Sequence, residues 1–128
     1  MTSPLHILVV EDDVQMLGYL CALVAGWGFT CEPTKSAAEG IAAAERRCPD
    51  VVISDLVMPG MDGLEMLKAL RSVKNCSIFF MLITGRGSVT EAVRAIQDGA
   101  DEVLVKPVNE PDLLAMLRRV EAKRGSGV

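Results

Sequence analysis

The 128-residue chain is the size of one domain and long enough to bury a real core. Half of its residues are apolar, and a net charge of −4 argues against direct nucleic-acid binding, which wants a basic face. The apolar run 78–83, like the others in the chain, is far too short to cross a membrane, and the start MTSPLHILVVEDD has no basic region and ends in three acids, so it does not read as a signal peptide.

Along the chain, short β-rich runs alternate with helical patterns. The first strand is LHILVV, and Val14, Leu17, Cys21 and Val24 then recur on one helical face, with Gly26 and Gly28 flanking Trp27 where that helix should stop. FTCEP reads as a second strand, and Ala37, Ile41 and Ala44 stripe a second helix. VVIS is a third strand, followed by a stripe of Leu64, Leu67 and Leu70. SIFFMLIT is a fourth; after it Ser88 stands as an N-cap, Val89, Val93 and Ile96 form the stripe, and Gly99 is a C′ glycine. EVLV is the fifth strand, and Asn109 caps a last helix striped by Leu113, Leu117 and Val120. Five strands alternating with five helices predict an α/β domain: one doubly wound parallel sheet covered on both faces. The domain spans 1–128, with 124–128 read as a flexible tail or the start of a linker.

A parallel sheet places its ligand site beyond the carboxyl ends of the strands, so the residues that follow each strand carry the functional question. After the first come Glu11, Asp12 and Asp13; after the third, in VVISDLVMPGMDG, Asp55; at the end of the fourth, Thr84; after the fifth, Lys106 and Pro107. Taken singly, each has a duller explanation. Acids favour the first turn of a helix, Asp55 serves as a loop or capping residue, threonine is common at strand ends, and Lys-Pro is a loop dipeptide. Together they sit at one edge. Carboxylates of Glu11, Asp12 and Asp55 converging there would repel one another and raise at least one pKa unless a cation joined them, and hard oxygen donors suit Mg²⁺. A carboxylate nucleophile, a divalent cation, an ammonium and a hydroxyl suit phosphoryl transfer, with Asp55 becoming an aspartyl phosphate.

In ILVVEDD, SDLVMPGMDGLE, LITG and DEVLVKP the chain resembles, over nearly its full length, the receiver domain of bacterial two-component response regulators. The resemblance implies a flavodoxin-like sheet of order 2-1-3-4-5. It makes Asp55 the phosphoacceptor, Asp12 a direct Mg²⁺ ligand, Glu11 a ligand mainly through water, and the Val57 carbonyl the last protein ligand. Lys106 would pair with the phosphoryl group, or with Asp55 before phosphorylation, through a cis Lys106–Pro107 bond, and Thr84 would hydrogen-bond a phosphoryl oxygen. Asp13, out of register with the acidic pair, is read as a helix N-terminal charge. The implied role is to accept a phosphoryl group from a sensor histidine kinase or phosphotransfer protein and to catalyse only its own phosphorylation and dephosphorylation. The implied partner surface is the face of helix four, strand five and helix five, used for a downstream protein, an output domain or a homodimer. Val103 stands where the family commonly carries a switching aromatic. Its stiff side chain leaves the segment from Thr84 to Ser88, with helix four, as the expected moving part.

Three other classes fit less well. An aspartate-nucleophile phosphatase would place a second acid beside Asp55, where Leu56 and Val57 stand instead. A flavin-binding module needs a phosphate loop rich in Ser, Thr and Gly after the first strand, and the acids of EDD would repel a phosphate. A purely structural module has no use for a four-part site. The scattered Cys21, Cys31, Cys48 and Cys76, with His6 as the only histidine, carry no zinc spacing and are read as reduced thiols of a cytoplasmic protein; His6 is read as structural.

Overall fold

The computed structural model describes residues 4–56, 60, 63–85 and 89–126. Its elements, in chain order, are β1 (His6–Val10), α1 (Val14–Gly26), β2 (Thr30–Thr34), α2 (Ala37–Arg46), β3 (Val51–Asp55), α3 (Gly63–Arg71), β4 (Phe79–Thr84), α4 (Val89–Gln97), β5 (Glu102–Val105) and α5 (Glu110–Ser126). All four strand pairings are parallel, and the order is β2-β1-β3-β4-β5. The expected elements are therefore present in the expected order, with strand ends shifted by a residue or two. Pro33 is tolerated inside β2 because that strand lies at an edge and has only β1 to pair with.

The pleat explains the continuous apolar runs of the central strands. Leu8, Val10, Val52, Phe80 and Leu82 point to one face, where they meet Ala43 and Ala44 of α2, Met66, Leu67 and Leu70 of α3 and Ala95 of α4. Ile7, Val9, Val51, Ile53, Met81 and Ile83 point to the other, against Leu17, Leu20 and Val24 of α1 and Leu113 and Leu117 of α5. A strand with helices on both sides has no polar face to show, so alternation disappears from its sequence. Each fully buried Leu or Ile contributes roughly 1.5–3 kcal/mol, so this double layer holds the strand ends, and whatever hangs from them, in register.

Several expectations need correction. Val14 is 64% exposed, and the buried stripe of α1 runs through Leu17, Leu20 and Val24 instead. In α4, Val93 and Ile96 are 52% and 48% exposed, whereas Ala95 is buried. A helix seated on a sheet through alanine approaches closely and turns its larger apolar residues outward, which periodicity alone does not distinguish. Of the tail expected over 124–128, residues 124–126 continue α5, with Arg124 Nη1 donating to Asp50 Oδ2 at 2.8 Å, and 127 and 128 lie outside the described residues. The reading of the cysteines as all reduced also fails, because Cys48 and Cys76 form a disulfide. The cause is topological. Neighbouring parallel strands β3 and β4 are entered from the same edge, so the loops that precede them lie side by side and bring the two Cα atoms to 5.5 Å. Cys21 and Cys31 are free. Ser88 and the side chains of Leu64 and Val89 lie outside the described residues.

Helix ends follow the predicted chemistry elsewhere. Asn109 Oδ1 accepts from Asp112 N at 2.9 Å at the start of α5, and Gly99 closes α4, its N–H donating to Ile96 O at 3.1 Å. His6 is buried in β1 and its Nδ1 lies 2.9 Å from Thr30 Oγ1, a structural placement as expected.

Candidate functional site

Register brings the predicted residues to one level. Val10 faces Ser54 across the β1–β3 pair, so Glu11 and Asp55, each one residue further on, leave the sheet together. Asp55 faces Ile83, which puts Thr84 one residue beyond it, and Thr84 faces Val105, one residue before Lys106. Backbone bonds lock the edge: Glu11 N donates to Thr34 O at 3.1 Å, Leu56 N to Ile83 O at 3.0 Å, and Lys106 N to Thr84 O at 2.7 Å.

Oxygens of Glu11, Asp12 and Asp55 all lie within 4.8 Å of one another. Glu11 is 1% exposed, Asp55 is half-buried and Asp12 faces solvent. Lys106 follows β5 directly, its peptide bond to Pro107 is cis, and its Nζ stands 3.2 Å from Asp55 Oδ2. Thr84 is buried at the end of β4. Thus Glu11, Asp12, Asp55 and Lys106 are drawn into one crevice, with Thr84 at the adjoining strand end. Val57, the remaining predicted ligand, lies outside the described residues.

The expected electrostatic tension is present, though its main cause differs from the expected one. Glu11 is pushed up to about 7, first by burial and then by the charge of Asp55, while the Asp13 N–H and Lys106 oppose the shift. Asp13 N donates to Glu11 Oε1 at 3.0 Å, so the first residue before α1 orients the buried acid. The Asp13 carboxylate turns the other way. Its Oδ1 accepts from Gln15 N at 3.0 Å and Met16 N at 3.3 Å, an N-cap rather than a ligand, in keeping with its reading as a helix N-terminal charge.

Two glycines after Asp55, Gly60 and Gly63, have backbone roles whose signal was present in the quoted motif. Gly60 sits at φ 88°, in the left-handed region that side chains rarely adopt. Gly63 opens α3 with its N–H 2.8 Å from Leu56 O, and a Cβ there would lie 2.9 Å from the backbone oxygen of Asp55 and 2.9 Å from Leu82 Cδ2. Gly63 is thus the close approach that lets α3 start directly against the Asp55 backbone.

Three oxygen donors at this spacing, one of them pushed up to about 7 by its burial, form a set that could bind a hard divalent cation, and the adjacent ammonium suits a phosphoryl group. Val103, half-buried on β5, packs against the layer under α2, α3 and α4 and faces Leu82.

Comparison with known proteins agrees with this chemistry. The response regulator receiver domain family matches residues 7–118. The chain is 35% identical over 123 residues to the transcriptional regulatory protein TcrA of Mycobacterium tuberculosis, covering 96% of this chain and 48% of that protein. It is 35% identical over 111 residues to the DNA-binding transcriptional regulator NtrC of Escherichia coli, covering 87% of this chain and 24% of that protein. The chain therefore spans about half or less of the length of these relatives. Among solved structures, a response regulator receiver domain protein from Clostridium thermocellum superposes with a TM-score of 0.87 at 27% identity, covering 97% of this chain and 99% of that one.

Proposed function

The chain belongs to the response regulator receiver family, with the phosphoacceptor signalling role of that family, and on that premise we propose that Asp55 is its phosphoacceptor. The observation that carries this reading is the Lys106–Asp55 pair at 3.2 Å beside the cluster of Glu11, Asp12 and Asp55. An Asp55 carboxylate oxygen attacks the phosphorus of a phosphohistidine or a small acyl phosphate. The new P–O bond forms as the bond to the leaving group breaks, and the leaving group departs with the electron pair. Lys106 balances the charge on the transferred oxygens, and the Thr84 hydroxyl donates to one of them.

We assign the metal to Asp12 and Asp55 as direct ligands, with Glu11 acting through water and the Val57 carbonyl completing the protein set. Mg²⁺, when bound there, supplies neutralisation of charge on the phosphoryl oxygens. The Asp13 N–H orients Glu11, which would face the cation in its ionised form.

Response regulators of this family are phosphorylated by histidine kinases and act on output domains. For this chain the proposal extends to a receiver spanning 1–128, a sensor histidine kinase or phosphotransfer protein as donor, and a cytoplasmic setting. Output, or homodimer formation, would run through α4, β5 and α5. The half-exposed Val93 and Ile96 and the exposed Val105 support that face as a contact surface. In this reading the catalysis belongs to the domain's own phosphorylation and dephosphorylation.

Incubation with acetyl phosphate and Mg²⁺, followed by peptide mass mapping, tests the assignment. One phosphoryl group should appear, on the peptide containing Asp55. A label on Glu11, Asp12 or Asp13 would overturn it.

A further inference from the structure

The cysteines fall into two pairs, one against each face of the sheet. Cys76 of the Cys48–Cys76 disulfide packs against the layer under α2, α3 and α4, whereas Cys21 of α1 and Cys31 of β2 pack against the layer under α1 and α5. The Cys21 and Cys31 sulfurs lie 2.6 Å apart. Unbonded atoms of even carbon size rest at roughly 3.5–4.0 Å, and a disulfide measures about 2.05 Å. The separation is therefore nearer to a bond than to a contact between two thiols.

We infer that Cys21 and Cys31 are a second oxidisable pair, a modification site at which peroxide-class oxidants close a disulfide between α1 and β2. Both side chains are half-buried, so a molecule as small as hydrogen peroxide reaches them while a second protein's thiol meets a crowded approach. Burial, and then the hydrogen bond to Cys21, push the Cys31 thiol up, so the first attack falls to Cys21. The Cys21 sulfur takes one peroxide oxygen as the O–O bond breaks, giving a sulfenic acid and water. Cys31 then attacks that sulfur, the S–O bond breaks, and the departing hydroxide leaves as water with the Cys31 proton. Two thiols and one peroxide become one disulfide and two waters.

The link would matter most to β2. As an edge strand, β2 has β1 as its one ladder partner, and Cys31 lies opposite Ile7 in that ladder. A bond from Cys31 to α1 adds a covalent tie where hydrogen bonds serve one side only. Its partner helix begins at the Asp13 cap, two residues beyond Glu11, so the tie also fixes the helix that leaves the acidic edge.

The test counts thiols. Under denaturing conditions without reductant, the native protein should take up iodoacetamide at its two free cysteines. After hydrogen peroxide it should take up none, lose the mass of two hydrogens, and yield a linked Cys21–Cys31 peptide that dithiothreitol separates. The Cys48→Ser/Cys76→Ser variant, which removes any exchange with the existing disulfide, should behave in the same way. Cys31→Ser should instead leave Cys21 to gain oxygen or a mixed disulfide. Two alkylatable cysteines surviving peroxide, oxygen added to Cys21 or Cys31 of the wild type, or a link to a second molecule would each overturn the proposal.

Discussion

The two edges of the sheet treat aspartate in opposite ways. At the amino edge, Asp50 Oδ2 accepts from His6 N and from Arg124 Nη1, both at 2.8 Å. Asp101 Oδ2 likewise accepts from Phe80 N at 2.8 Å and from Arg71 Nη2 at 3.0 Å. The same arginine reaches the carbonyls of Ile78 and Gly99. Each acid there has a backbone donor and a guanidinium, and its work is to join strand starts to helices. At the carboxyl edge three carboxylates crowd within 4.8 Å of one another, Lys106 Nζ stands 3.2 Å from Asp55, and the most buried of the three is pushed up to about 7. The first arrangement neutralises charge at fixed geometry. The second concentrates negative charge where a cation and a phosphoryl group can relieve it. Residue type is the same at both edges; the partners decide the role.

The comparison predicts that damage to the amino edge costs stability, and damage to the carboxyl edge costs chemistry. The largest stability effect should come from Cys48→Ser/Cys76→Ser. That disulfide closes a segment of 28 residues containing β3 and α3, and its loss should remove on the order of 3 kcal/mol in urea unfolding. Acetyl-phosphate labelling of the folded variant should be retained. A variant that unfolds at the wild-type midpoint would mean that the disulfide does not constrain the chain.

Next in size is a contrast inside the EDD run. Asp12→Ala should weaken Mg²⁺ binding by tenfold or more, about 1.4 kcal/mol, because it removes a direct donor from the cluster. Asp13→Ala should leave affinity close to wild type while costing about 1 kcal/mol of stability through the lost cap. Equal losses of affinity in a metal titration would show that the register of the acids is wrong.

Smaller, but diagnostic in sign, is the pH dependence. The folded form holds the Glu11 proton above its ordinary value of 4.5, up to about 7. Without metal, the stability tied to that proton is fully present below about 4.5 and is lost as pH rises through about 7. Bound Mg²⁺ favours the ionised form, so affinity should climb between these values and level off above them. Stabilisation by Mg²⁺ in thermal melts should grow over the same window. Affinity independent of pH from 5 to 8, a window of roughly three decades in proton activity, would remove Glu11 from the metal's surroundings.

How much of this was legible from residues alone differs between the two edges. Asp55, Thr84 and Lys106 could be assigned because each follows a recognisable strand, and parallel strands bring their carboxyl ends to one level whatever the order. The order itself came from resemblance, since apolar runs buried on both faces look alike. Burial of Glu11 was not legible, because EDD does not say which acid turns inward. Nor was the outward turn of Val93 and Ile96, which rests on Ala95 as the seat of α4. The amino edge was least readable of all. Its contacts, Asp50 with Arg124 and Cys48 with Cys76, join residues 74 and 28 apart and carry no local spacing.

The most direct measurement compares one substitution at both edges. Asp55→Asn and Asp101→Asn each keep the side-chain shape and remove one carboxylate. Both variants, with the wild type, should be incubated with acetyl phosphate in the presence and absence of Mg²⁺ and weighed intact. The wild type and Asp101→Asn should each gain one phosphoryl group, only with Mg²⁺, and Asp55→Asn should gain none. Labelling of Asp55→Asn at the wild-type level, or labelling of the wild type without a divalent cation, would contradict the account.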